Sequence, residues 1–365
     1  MATVDWRLVA SIAAHRHRSL PEEFHTPDYS PQSGAKLPGR VLTQVGPVLR
    51  VATPSGLSEA TLSGKLVHQK DGRAPAPAVG AYVFLSGDGA RVDEVLPRST
   101  SLTRKQVGDR AYPQTLAANV DLALLVTTVP AERDYSVRRI ERYLATMDPG
   151  IELVVVLNKS DLWEDPEAVV RATTAQLPET SVVAVSAKTG MGIEALLALL
   201  PSHSTVVLAG SSGTGKSSLI SRLTGETLKS GEVRDSDTRG RHTTTVRSAH
   251  ALSGSRILID SPGIREIQLW ATDEMDGQIE SAFPDIVELA PQCKFSDCSH
   301  TGEPGCAVQE AVRNGEIPND RYLSFLELRE ELADGAERAN KQERLRERRQ
   351  ARRARMSRRS RGGGR

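Results

Sequence analysis

Cysteine is scarce in this chain of 365 residues: there are three, an odd number for a disulfide framework, and all lie between Cys293 and Cys306. Such clustering points to a metal site in a reducing compartment. Long apolar runs are missing. Nothing approaches the roughly 18 to 20 apolar residues of a bilayer-spanning helix, so no membrane partner is expected. A signal-peptide layout is missing too, because the apolar stretch 8–14 is short and Arg7 is its only basic head. The expectation is a cytoplasmic protein.

A large net charge is also lacking, but the formal +1 conceals an asymmetry. Residues 338–365 hold thirteen Lys/Arg and two Glu, a local +11, which leaves 34 basic and 44 acidic residues, −10, on the rest. A cationic tail on an acidic body is an electrostatic footprint for nucleic acid. The length exceeds one compact core. The texture suggests five segments: an N-terminal extension, 1–35, read as poorly ordered; a β-barrel, 36–112; an α/β domain, 113–272; a helical, cysteine-bearing domain, 273–335; and a basic tail, 336–365. In the barrel, short β-type runs at 40–43, 48–51, 65–68, 81–85 and 91–96 are separated by Gly, Pro and Asp. Tyr82, Phe84 and Tyr112 are its only aromatics, so base stacking contributes little there. In the α/β domain, apolar runs at 120–129, 153–157, 182–185, 206–209 and 257–259 read as parallel strands buried on both faces. Helical patterns at 136–147, 166–177, 193–199 and 217–223 lie between them, as in a doubly wound fold.

Gly210-Ser211-Ser212-Gly213-Thr214-Gly215-Lys216-Ser217 fits the P-loop pattern at every fixed position, after a strand and before a helix that continues with Ser218. Its backbone N–H groups suit a phosphate at a helix N-terminus. Lys216 is expected on the β- and γ-phosphates and Ser217 on Mg²⁺. Asn158-Lys159-Ser160-Asp161 selects the base. The Asp161 carboxylate accepts from guanine N1–H and the exocyclic amine, which adenine does not offer, and an unpaired buried carboxylate is costly. Ser186-Ala187-Lys188 resembles the loop whose Ala N–H meets guanine O6. Asp260-Ser261-Pro262-Gly263 fits D-x-x-G, with Asp260 toward Mg²⁺ and Gly263 toward the γ-phosphate. Between them, Arg239-Gly240-Arg241-His242-Thr243-Thr244-Thr245 occupies the place of a switch. One of the three threonines joins the Mg²⁺ shell, and spacing leaves open which. Ile264 stands where many such enzymes carry a water-orienting Gln, so His242 is the candidate for handling water beside Lys216 at the catalytic centre.

These motifs run in circularly permuted order, with base recognition before the P-loop. Loops at the carboxyl ends of parallel strands still converge on one pocket if old termini are joined and the chain is cut elsewhere. The cut falls after Gly263, and Cys293 follows 30 positions later. Cys293-x4-Cys298-x-His300-x5-Cys306 supplies three thiolates and one imidazole within 14 residues, a set for one closed, structural Zn²⁺. Gly302, Pro304 and Gly305 make the intervening chain a loop.

The motif order, Gly240-Arg241-His242-Thr243-Thr244-Thr245 and the Cys3His set with Glu303-Pro304-Gly305-Cys306 strongly resemble the ribosome small-subunit-dependent GTPase A (RsgA) family, over residues 39–330. The resemblance implies an N-terminal OB-fold barrel, a permuted GTPase and a C-terminal zinc domain. It also implies GTP hydrolysis stimulated by the 30S subunit, contacts to 16S rRNA and a role in late 30S maturation; the chain itself is expected to be a monomer that binds GTP and GDP. The alternative is an RNA-binding placeholder that uses GTP as a switch ligand with negligible hydrolysis. Two positions depart from the family: Gly80-Ala81-Tyr82 replaces a frequent Gly-Asp-Trp, and Ser261 replaces Thr.

Overall fold

The computed structural model describes residues 4–30, 35–68, 77–105, 113–128, 135–177, 180–211, 213–226, 247–260, 279, 282–331 and 333. The chain divides into two compact units, residues 1–140 with 147–267, and residues 141–146 with 268–365.

The first unit opens with α1 (Trp6–Arg16), whose N-cap Asp5 accepts a hydrogen bond from the Arg7 amide. Residues 4–30 of the segment expected to be poorly ordered are therefore structured. Trp6, Val9, Ala10, Ile12 and Ala13 make a buried face at helical spacing. Phe24 then inserts its ring edge-on toward Tyr82 and Phe84, at 5.3 and 5.2 Å between centroids. The apolar stripe is short and rich in alanine, and only the surface it covers makes it visible.

Five strands follow: β1 (Leu37–Val45), β2 (Val48–Thr53), β3 (Gly56–Leu62), β4 (Tyr82–Leu85) and β5 (Arg91–Val95). They pair in the order β1-β2-β3-β5-β4, and β4 returns to β1, which closes an OB-like barrel. The strand expected at 65–68 is instead helical, α2 (Gly64–His68). The reason is topological. β3 and β5 are parallel neighbours, so the chain between them must cross over rather than turn back as a hairpin. A separate hairpin, β6 (Ser101–Lys105) with β7 (Pro113–Ala118), leads out of the barrel.

The α/β part contains β8 (Leu122–Thr127), α3 (Val137–Thr146), β9 (Glu152–Leu157), α4 (Pro166–Gln176), β10 (Ser181–Ala184), α5 (Ile193–Leu199), β11 (Thr205–Ala209), α6 (Lys216–Thr224), β12 (Arg247–Leu252) and β13 (Arg256–Asp260). The strand order is β10-β9-β8-β11-β13-β12, parallel through β13 and antiparallel at β12. Every residue of β8 and β11 is buried, as strands covered on both faces require. Leu122, Leu124, Val154, Val156, Val206, Leu208, Leu219 and Ile220 belong to one core beneath the strand ends.

Barrel and α/β sheet are one continuous sheet, because β1 pairs with β12 at Thr43↔Ser248 and Gln44↔Arg247. Arg40 secures this seam from a fully buried position. Its Nε donates to the Gly80 carbonyl at 3.1 Å, its Nη2 donates to Thr205 Oγ1 at 2.8 Å, and its guanidinium lies 4.9 Å from the Tyr82 ring centroid. Tyr82, at the position of the family departure, is thus a core residue of the seam.

The second unit contains α7 (Pro284–Leu289), α8 (Ala307–Asn314) and a helix over residues 319–331. Phe283, Ile286, Val308, Ala311, Ile317, Tyr322 and Phe325 make its core with Ala145. Arg321 organises the polar side of that core, donating to Asp285 Oδ1 and Oδ2 at 2.6 and 2.7 Å and to Glu141 Oε1 at 2.6 Å. Among the described residues, no helix is long and apolar enough to cross a membrane.

Candidate nucleotide site and Cys3His centre

The P-loop connects β11 to α6, as its strand–loop–helix spacing requires. Two of its glycines are obligatory. Gly210 has φ +132°, and a Cβ there would stand 2.1 Å from the Val126 carbonyl oxygen. Gly215 has φ +86°, and its Cβ would meet Asn158 Nδ2 at 2.4 Å. The Asn158 side chain fills the space that the missing methyl leaves.

Asn158 joins three motifs. Its Nδ2 donates to the Thr214 carbonyl at 2.8 Å, and its Oδ1 accepts from the Ala187 amide at 3.1 Å. The residue is 2% exposed, so both bonds form away from water, where losing a partner costs most. The end of β9, the Ala187 loop and the P-loop therefore meet at one amide. Lys159 takes the left-handed conformation at φ 64°, which turns the chain into the short 3₁₀ turn Ser160–Leu162 carrying Asp161. Ser160 donates its amide to the Val185 carbonyl at 3.0 Å. Ser186 Oγ donates to Asp161 Oδ1 at 2.6 Å and accepts the Thr189 amide at 3.1 Å. Asp161 and the Ser186-Ala187 pair, 25 positions apart in sequence, form one cluster.

Lys216 Nζ donates to the carbonyl of Gly210 at 2.8 Å and to that of Ser211, while Ser217 and Ser218 follow on α6. Asp260 closes β13, whose register sets it opposite Leu208, two residues before Gly210. Burial pushes its carboxyl above the usual carboxylate range, and the charges of His250 and Lys216 pull it back. Hydroxyl and carboxylate oxygens such as those of Ser217 and Asp260 are suitable donors for Mg²⁺. Ser212, His242, Thr243, Thr244, Thr245 and Gly263 lie outside the described residues, as does the basic tail.

Two contacts here had no signal in the motifs. Arg139 Nη1 donates to Ser211 Oγ at 2.8 Å, and Arg222 donates to the carbonyls of Ala187 and Lys188 at 3.0 and 2.6 Å. Neither arginine belongs to a short pattern; helix placement alone brings them in.

In the second unit, the ligand atoms of Cys293, Cys298, His300 and Cys306 all lie within 4.8 Å of one another. Cys293 Sγ is 3.9 Å from Cys306 Sγ, and His300 Nδ1 is 3.5 and 3.4 Å from these two sulfurs. A tetrahedral ion with Zn–S near 2.3 Å and Zn–N near 2.0 Å gives edges of about 3.8 and 3.5 Å. The donor set therefore fits one structural Zn²⁺, and its four positions leave none for substrate.

The supports of the centre are local. His300 sits at φ 64°, and its carbonyl accepts from Gln309 Nε2 at 3.0 Å and from Tyr322 Oη at 2.5 Å. Burial lowers its pKa, with Arg329 adding to the effect, so the imidazole is held neutral as a ligand must be. Cys298 is pushed up to about 11, by desolvation first and then by the shared hydrogen bonds of Cys306 and Cys293. The Glu303 carboxylate gathers the amides of Ser299, Thr301 and Gly302 at 2.8, 3.0 and 3.0 Å, which holds the loop around the ligands. Gln309 and Tyr322 lie outside the Cys/His spacing and were not legible from it.

The sequence model of the RsgA GTPase family matches residues 95–270. A small ribosomal subunit biogenesis GTPase RsgA from Opitutus terrae is 41% identical over 321 residues, 83% of this chain and 86% of that protein. The protein of the same name from Methanosarcina acetivorans is 40% identical over 317 residues, 85% of this chain and 84% of its own length. Among solved structures, YjeQ from Thermotoga maritima matches with a TM-score of 0.60 and 28% identity, over 82% of this chain and 99% of that one. YloQ, described as a circularly permuted GTPase, shares the fold with a TM-score of 0.56 at 23% identity, over 82% of this chain and 96% of its own. With its base-recognition loops ahead of its P-loop and a Cys3His centre behind it, the chain belongs to the RsgA family of circularly permuted GTPases.

Proposed function

We propose that this ribosome-biogenesis GTPase binds the 30S subunit through 16S rRNA, acts late in its maturation, and is released according to its GTP state. The observation that carries the nucleotide chemistry is the Asn158 side chain, which holds the Ala187 loop and the P-loop with one amide. In this reading Asp161 accepts from guanine N1–H and the amine, the Ala187 amide donates to O6, and Lys216 with the amides of Gly213 and Gly215 holds the phosphates. Ser217 and Asp260 hold Mg²⁺, with one of Thr243, Thr244 and Thr245. Bound there, the ion would supply charge neutralisation to the phosphates. Gly263 reads the γ-phosphate, and His242 orients the attacking water. The Cys3His centre contributes shape, and the basic tail adds salt-sensitive affinity for the rRNA backbone. The working form is a cytoplasmic monomer.

Multiple-turnover GTPase assays with and without 30S particles test the reading. Stimulation by the 30S subunit supports it, and a rate indifferent to the particle removes the ribosomal part. Asp161→Asn tests the base. The amide presents a donor to the guanine amine, so GTP affinity should fall about a hundredfold and xanthosine triphosphate should bind better than GTP. Unaltered GTP affinity would refute the assignment.

A further inference from the structure

The guanine-recognition loop is held from two sides. On its inner side, the Ala187 amide donates to Asn158 Oδ1 and Ser186 Oγ donates to Asp161 Oδ1. These are groups that a guanine also claims, so those bonds rearrange when the base arrives. On its outer side, Arg222 Nε donates to the Ala187 carbonyl at 3.0 Å and Arg222 Nη2 to the Lys188 carbonyl at 2.6 Å. No base atom competes for these carbonyls, so the bonds persist through binding. A planar guanidinium donating to two successive carbonyls fixes both the position and the orientation of the intervening peptide.

Arg222 stands in the last turn of α6, and Lys216 is the first residue of the same helix. The six positions between them span about 9 Å of helix axis. Phosphate site and base loop are thus attached to one rigid element, and Leu219, Ile220 and Leu223 seat that element in the core. We propose that Arg222 is a positioning residue for guanine selection. It anchors the loop so that the Ala187 amide meets the O6 of a nucleotide whose phosphates are held by Lys216. The proposal rests on the reading of Asp161 and Ala187 as the guanine pocket and adds a specificity determinant outside it.

The test separates the 6-position of the base from the 2-position. GTP, GDP, inosine triphosphate (no 2-amino group) and 6-thioguanosine triphosphate (sulfur for O6) are titrated into wild type, Arg222→Ala and Arg222→Lys. Wild type should bind both analogues more weakly than GTP. In Arg222→Ala the dissociation constants of GTP and GDP should rise together by about tenfold. The penalty for 6-thioguanosine triphosphate should shrink because the loop yields to the larger atom. The penalty for inosine triphosphate, which reports on Asp161, should stay, and kcat at saturating GTP should not change. Arg222→Lys, with one point donor for two carbonyls, should fall between. Equal change in both penalties, or none at the 6-position, overturns the proposal. A wild type indifferent to both analogues instead refutes the guanine pocket itself. Should Arg222→Ala not fold, Arg222→Lys and Arg222→Gln decide by the same ratio.

Discussion

The nucleotide site and the Cys3His centre gather polar groups by opposite routes. The first draws on loops around residues 158, 186, 214 and 260, delivered by parallel strands whose apolar faces make the core of the first unit. Its key buried amide has its partners inside the protein. The second draws all four ligands from 14 residues of chain, and its sulfurs and imidazole lie within 4.8 Å of one another. Three thiols and an imidazole gathered this closely fit one structural Zn²⁺, which would complete the centre. The hydrophobic core makes one site; the donor set of the other fits a metal.

The largest expected effect exploits that difference. Cys306→Ser, or chelation of the wild type, should abolish zinc retention and unfold the region around α7 and α8. Structural zinc contributes on the order of 10 kcal/mol of apparent binding free energy in small modules. Hydrogen exchange should show protection lost over residues 282–331 and kept in β8, β9 and β11; equal loss in both units would break the comparison. Asn158→Ala is the reciprocal experiment. It strips the Ala187 amide and the Thr214 carbonyl of a buried partner, at about 1–3 kcal/mol for each unsatisfied group. GTP and GDP affinity should fall at least tenfold while zinc content by atomic emission stays at the wild-type level.

Mild acid should distinguish the units least but in a defined direction. His17 is lowered to about 3 by burial, and by the charges of Arg40, Arg16 and His25. The unfolded chain takes up a proton near 6.5 that the folded ring refuses. Stability of the first unit therefore falls as pH drops below about 6.5, by up to about 1.4 kcal/mol per pH unit toward pH 3, and is indifferent to this group above 6.5. His17→Asn should flatten that slope in urea titrations at pH 7, 6 and 5. A slope identical to wild type would show that other groups govern it.

Local patterns read true where the physics is local. The P-loop lies between strand and helix, and the Cys/His spacing closes on itself. The misreadings occur where the deciding contact is remote. Residues 65–68 carry β-compatible side chains, yet the parallel pairing of β3 with β5 makes them part of a crossover. Residues 6–16 bury a face whose cover is a barrel. Arg40, charged and fully buried, could not be told from a surface arginine without Gly80, Thr205 and Tyr82 around it.

Residue order by itself carried the P-loop pattern, the Asn158–Asp161 and Ser186–Lys188 motifs, and the Cys3His spacing. Each of those depends on residue types at short, fixed separations. Only the tertiary structure decided that one asparagine amide ties the Ala187 loop to the P-loop, that Arg222 holds that loop to α6, and that the barrel continues the GTPase sheet through β1 and β12. Such contacts span tens to hundreds of residues, and their energies depend on burial and register, which arise only once the strands have paired and the core has closed.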